Sequence, residues 1–238
     1  MTERLHATSL HNHIFQNFKS LTMNRIILFL SFLALSLTSV SGQNSEYQAN
    51  MQPIVDSIQT AKWETDLTPY ANQLERIAAV ETKEWLPSYW AAYCYMMKSY
   101  SEKVNEKKDI LLEKAEALIA AADKLQPMND EIEVMKANIA NARMAVDPQN
   151  RWQKYGEIVG KSLGLAVKLN TENPRAKLLE AQGVFYRPEA FGGGKEKALP
   201  LINAAIEKFN TFKPTSTLMP NWGLATAKYM LSQTGDGK

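Results

Sequence analysis

A chain of 238 residues with 27 Lys plus Arg, 25 Asp plus Glu, 3 His and a single Cys excludes several kinds of chemistry at once. One cysteine cannot build a disulfide framework, and a formal charge of +2 gives no reason to expect nucleic acid as a partner. Hydrophobic residues make up 45% of the chain, enough apolar surface to offset chain entropy in a folded core.

From Met23 the chain reads MNRIILFLSFLALSLTSVSGQ: one Arg, an apolar run from Ile26 to Leu37, then small residues ending at Gly42. This is the pattern of a cleavable secretion signal, because the run is far short of the roughly 20 apolar residues that span a bilayer. The expected cut lies between Gly42 and Gln43. Residues 1–22 then read as an upstream extension, 23–42 as the signal, 43–232 as one helical domain and 233–238 as a flexible tail. No Cys stands at the cut to carry a lipid, so the expected product is periplasmic or secreted, with no stable membrane insertion. Removing 1–42 takes away Arg4, Lys19, Arg25 and Glu3, leaving 24 basic and 24 acidic residues. It also takes away His6, His11 and His13, the only histidines. Catalysis by Ser-His-Asp or Cys-His and zinc sites of ordinary composition are thereby excluded, and no cofactor is implied.

Along the rest of the chain apolar residues recur at steps of three and four, and strand alternation is almost absent. Leu111, Ala115, Leu118, Ala122 and Leu125 form one such stripe, Ile132, Met135, Ile139, Ala142 and Val146 another. A third runs through Ile158, Leu163, Ala166 and Leu169. Prolines 69, 87, 127, 148, 174 and 214 fall where one stripe gives way to the next, positions at which a missing N–H is tolerated. The spacing predicts helices over 46–62, 67–82, 87–101, 109–125, 130–146, 151–170, 174–186, 196–210 and 221–232. Three helix ends resemble one another, AADKLQP at 121–127, LAVKLNT at 165–171 and AAIEKFN at 204–210, with anchoring alanines 44 and 39 residues apart.

That repetition resembles the tetratricopeptide repeat family. One unit reads Leu179, Gly183 and Tyr186, then Ala198, Ile202 and Ala205. A second reads Tyr93, Met97 and Tyr100, then Ala115, Ile119, Ala122 and Pro127. Met97 stands where the family places a small residue, the period exceeds the family's, and Pro200 falls inside a helix unless that helix begins near Ala198. The resemblance covers residues 87–210 and implies an all-α fold, an α-α superhelix of antiparallel helix hairpins that binds protein or peptide. It also implies that Gly183 and Tyr186 are buried against Ala198 and Ile202.

Gly192, Gly193, Gly194 and Lys195 suggest a phosphate loop, but no strand precedes them and Glu196 replaces the Ser or Thr that would hold magnesium, so a turn with positive φ is the better account. Trp85, Tyr89, Trp90, Tyr93 and Tyr95, followed by Met96 and Met97, could form a platform for a sugar or peptide. Their helical spacing on two stripes favours core instead. Cys94 reads as a small buried hydrophobe. Carboxylate pairs such as Glu64 with Asp66 or Glu180 with Glu189 are explained by solvated helix faces.

These readings converge on an exported, non-catalytic binding protein whose partner is a protein or peptide. A small-ligand or glycan binder using residues 85–97, and an enzyme working with carboxylates, are the alternatives. If Tyr93 and Leu179 point into the fold, the residues just after them face the concave side, selecting Cys94 and Lys98, then Glu180 and Val184. With neighbouring turns the expected binding residues are Lys98, Glu133, Lys136, Lys177, Glu180 and Arg187, a strip of mixed charge.

Overall fold

The computed structural model describes residues 45–235; the expected signal and upstream extension lie outside them. The chain divides into two compact units, residues 1–49 and 50–238. Of the first, only the opening turn of helix α1 (45–60) falls among the described residues. All that follows concerns the second unit.

After α1 come α2 (Thr68–Val80), α3 (Leu86–Ser101), α4 (Asn105–Leu125), α5 (Asp130–Val146), α6 (Pro148–Leu169), α7 (Pro174–Phe185), a single 3-10 turn (Glu189–Phe191), α8 (Lys195–Thr211) and α9 (Leu224–Ser232). The fold is all-α, and each periodic stripe in the sequence corresponds to one helix. The starts follow local chemistry. Asn129 accepts from the backbone N–H of Glu131 and Ile132 at 2.9 and 3.2 Å, and Asn173 from those of Arg175 and Ala176 at 2.9 and 3.1 Å. Each cap satisfies two donors that a helix N-terminus otherwise leaves unpaired. Proline occupies the first turn of α2, α3, α6 and α7, where its absent N–H is not missed.

Helix α6 begins at Pro148 rather than 151, behind its Asp147 cap, and three further starts depart from the sequence expectation. Helix α4 begins at Asn105 rather than 109, because the Glu102 carboxylate accepts from the N–H groups of Lys103 and Val104 at 2.7 and 3.0 Å and turns the chain just before it. Its first turn, Asn-Glu-Lys-Lys, contains no apolar residue to mark it. Helix α8 begins at Lys195 and carries Pro200 internally rather than starting near Ala198. Pro200 is exposed, so the carbonyl it leaves unpaired one turn earlier faces water. Helix α9 starts at Leu224, held back by Gly223, whose φ of 117° brings the chain against the Phe209 ring and Leu178. A side chain there would lie 2.6 Å from that ring.

Consecutive helices pair as hairpins, α3 with α4, α5 with α6 and α7 with α8, while α3 touches α5 and α5 touches α7. The first helices of the hairpins therefore form an inner layer and the second helices an outer one. Among the described residues the layers meet where Leu178, Ala181 and Phe185 pack against Ala198, Ile202 and Ala205, and α5 and α7 meet α6 where Val134, Ala137, Ala176 and Leu179 pack with Ala166. The implied packing of Gly183 and Tyr186 is corrected here: Gly183 is exposed with open space around it, and Phe185 takes the core place. Helix α7 ends at Phe185, so Tyr186 is the capping residue and turns outward.

The connection 212–223 between α8 and α9 runs back over the inner layer as a strap. Trp90 Nε1 donates to the Leu218 carbonyl at 2.8 Å, Trp222 Nε1 donates to the Tyr89 hydroxyl at 2.9 Å, and the Thr217 hydroxyl donates to Gln52. Beneath it Arg175 is fully buried, its guanidinium 4.5 Å from the Phe212 ring centre and 6.0 Å from that of Trp222.

Candidate functional site: an exposed aromatic tract

The aromatic segment of α3 divides into two parts with different fates. Trp85, Tyr89, Trp90 and Tyr93 meet edge to face in succession, with centroids 5.5, 5.6 and 5.7 Å apart, and Tyr93 lies 5.6 Å from Trp222 of the strap. Tyr89 and Trp90 are fully buried and their polar atoms are hydrogen-bonded to the strap. This half is core, as its helical spacing implies. Cys94 is buried as well, and burial pushes its thiol well above the ordinary range, away from the nucleophilic form. It does not face the concave side, which corrects the expectation that placed it there.

The other half stays open. Met97 and Tyr100, which continue the stripe beyond Tyr93, retain solvent exposure. At its end Tyr100 is 39% exposed and sits 6.2 Å from the ring of Trp63, itself 63% exposed. Burial raises the Tyr100 hydroxyl to about 12, and the Tyr186 phenol adds to the shift. Tyr186 is raised in turn by burial and by the Tyr229 phenol, and Tyr93 by burial with a smaller effect from Tyr100. Tyr186 and Tyr229 are 66% and 60% exposed. Such rings cost free energy in water and are matched by an apolar or planar ligand face.

Five of the six residues expected to bind are engaged in ion pairs. Lys98 reaches Asp66 at 3.4 Å. Glu133 is buried, and Lys136 bridges it at 2.6 Å to Asp123 of α4 at 2.9 Å. Lys177 pairs with Glu180 at 2.8 Å on the same helix. Of these six, Arg187 alone has no ion pair among the described residues, and it follows Tyr186 directly. The remaining strong ionic groups serve packing. Asp109 is held down to about 2 by hydrogen bonds from Arg151 and Arg143, and Glu131 faces the buried Arg175. Among the described residues no three His, Cys, Asp or Glu side chains gather in a way that could hold a metal ion, and no helix is long and apolar enough to cross a membrane.

Sequence reasoning identified the aromatic segment but not Trp63, Tyr186 or Tyr229 as its partners. They belong to three separate connections or helices, and no local spacing links them.

No protein-family model matches the sequence, and no curated protein does. Among solved structures, the HusA haemophore from Porphyromonas gingivalis is similar to this chain, with 33% sequence identity and a TM-score of 0.70. The match covers 79% of this chain and 92% of that one.

Proposed function

The chain belongs to the family of the HusA haemophore, and from that premise we propose that it is an exported, non-catalytic carrier of haem or a closely related porphyrin. The observation that carries this reading is the exposure of Trp63 beside Tyr100, and of Tyr186 and Tyr229, which offer ring faces and edges to a flat aromatic ligand. Burying about 300 Å² of apolar ligand and protein surface there contributes roughly 7 kcal/mol at ~25 cal/mol per Å², before the cost of association. A small planar ligand explains the tract better than a peptide does, since the charged strip that would read a peptide is largely consumed by internal ion pairs.

The side chains present fit the porphyrin ring rather than a strong iron ligand. Residues 45–235 contain no histidine, Cys94 is buried, and the phenol at the centre of the tract is raised to about 12, which disfavours the phenolate that would bind ferric iron. Haem brings its iron as cargo. The protein's own part is to stack on the ring, exclude water from one face and keep the phenols protonated.

Titration of the full-length protein with haemin and with metal-free protoporphyrin, followed by quenching of tryptophan fluorescence, tests the reading. Both rings are expected to bind, and Tyr100→Ala with Tyr186→Ala to weaken both by about tenfold or more, as loss of buried aromatic contact does. Failure of both rings to bind would overturn it.

A further inference from the structure

The loop after α7 was singled out in the sequence for its three glycines and lysine, and the ring-binding tract does not account for it. Its backbone is locked. Gly194 N–H donates to the Val184 carbonyl at 2.9 Å, Gly193 N–H to that of Pro188 at 3.2 Å, and Gly192 N–H to that of Glu189 at 2.9 Å. Gly192 and Gly194 hold φ of 79° and 113°, and Gly193 lies so close to Arg187 that a Cβ would stand 2.2 Å from the Arg187 carbonyl oxygen. Only glycine permits this closure. The result is that Tyr186 and Arg187 at the start of this closed turn are brought close to Lys195, the first residue of α8.

Two cations flank Tyr186. Arg187 is its immediate successor and is exposed. Lys195 Nζ lies 5.8 Å from the centre of the Phe185 ring, and that ring meets Tyr186 edge to face at 4.9 Å. Lys98, Lys136 and Lys177 are each held by a carboxylate, whereas Arg187 and Lys195 take part in no ion pair among the described residues. Two unengaged cations beside one exposed ring on a rigid loop match a flat aromatic ligand that carries two carboxylates on one edge. Arg offers its planar fork to one carboxylate and Lys a point charge to the other.

Resting on the porphyrin reading above, we propose that Arg187 and Lys195 form the carboxylate-recognising end of the site and make this protein selective for acidic tetrapyrroles over their uncharged counterparts. The rigid loop reduces the ordering cost of those contacts, which favours selectivity.

The test compares protoporphyrin IX with its dimethyl ester on the full-length parent and on an Arg187→Ala/Lys195→Ala double variant. Thermal melts of both proteins accompany it, expected to agree within a degree or two because both side chains are exposed. The parent should bind the diacid about tenfold or more tightly than the ester, the scale of one hydrogen bond to a charged group, and the preference should fall as salt rises. The double variant should bind both forms alike, through loss of diacid affinity with ester affinity kept. Equal binding of the two forms by the parent, or an undiminished preference in the variant, would overturn this inference while leaving the ring-binding reading intact. Binding of neither form by the parent would overturn both.

Discussion

The buried pair beneath the strap gives a prediction whose sign differs between its two members. Arg175 Nε donates to Glu131 Oε2 at 2.7 Å and a second guanidinium nitrogen to Oε1, while Asn173 Nδ2 supplies a further bond to Oε1 at 2.8 Å. Arg175 Nη1 is buried without a hydrogen-bond partner. Glu131→Ala therefore leaves a fully buried guanidinium with no counter-charge, and a broken buried pair costs about 3 to 5 kcal/mol. For a domain of this size each kcal/mol moves Tm by about 2 to 4 °C, so a fall of roughly 10 °C is expected. An arginine cannot shed its proton in this range, so the loss should persist from pH 4 to pH 8.

Arg175→Met should behave differently. It keeps the packing between Phe212 and Trp222 but strands the Glu131 carboxylate. Burial already raises that carboxyl above its ordinary range, against the opposing effect of Arg175. Removing Arg175 raises it further. A group whose folded pKa exceeds its unfolded one is destabilising while ionised and ceases to be so as pH falls through the folded value. The variant should therefore lose several degrees at pH 8 and recover most of them toward pH 5. Differential scanning fluorimetry across that range on both variants is sufficient. Parallel curves for the two, or a drop of less than 2 °C for Glu131→Ala at pH 7, would refute the reasoning.

Phe185→Ala is expected to cost about 3 to 5 kcal/mol of stability, whereas Tyr186→Ala should leave Tm within about 2 °C, since only the first is in the core; urea melts of the two separate them. Gly183→Ala should stabilise by about 0.5 to 1 kcal/mol by improving helix propensity in open space, and Gly193→Ala should destabilise, because its Cβ would strike the Arg187 backbone. Trp222→Ala should expose Tyr89 and lower Tm by roughly 10 °C, read by the same melts, through lost packing and an unpaired hydroxyl. The Cys94 thiol should react with a thiol reagent only on unfolding, as it is buried and held in the neutral form.

The helices were legible because their boundaries are written in short-range chemistry. Asn129, Asp147 and Asn173 cap through their own side chains, and Pro69, Pro87, Pro148 and Pro174 mark first turns. The α4 start was not legible, since its signal is a carboxylate folding back on the two residues after it rather than any apolar step. Facing within a helix was harder still. A one-residue shift rotates a helix by about 100°, and the repeat alignment placed Gly183 and Tyr186 inward where Leu178 and Phe185 are. Hydrophobic spacing could not separate Phe185 from Tyr186, as either ring completes the same stripe. The strap was out of reach for another reason. Residues 212–223 have no periodicity, and their contacts lie up to 165 positions away in sequence.

The strap also explains why the site is where it is. The aromatic segment of α3 runs the length of the inner layer, and by ring chemistry alone either half could meet a ligand. In the half that the strap covers, the polar atoms of Tyr89 and Trp90 are spent on Trp222 and Leu218, and the rings have no free face. In the open half Tyr100 and Tyr186 donate no side-chain hydrogen bond among the described residues, and their rings face water. A buried aromatic with its polar tip satisfied is a structural residue, and an exposed one with its tip unengaged is available for recognition. The division of labour along a single helix is thus made by a distant connection: removing the strap's grip would enlarge the apolar surface but unpair the buried Trp90 indole N–H and strip the Tyr89 hydroxyl of its donor, so the fold stabilises itself with one half of the segment and leaves the other exposed.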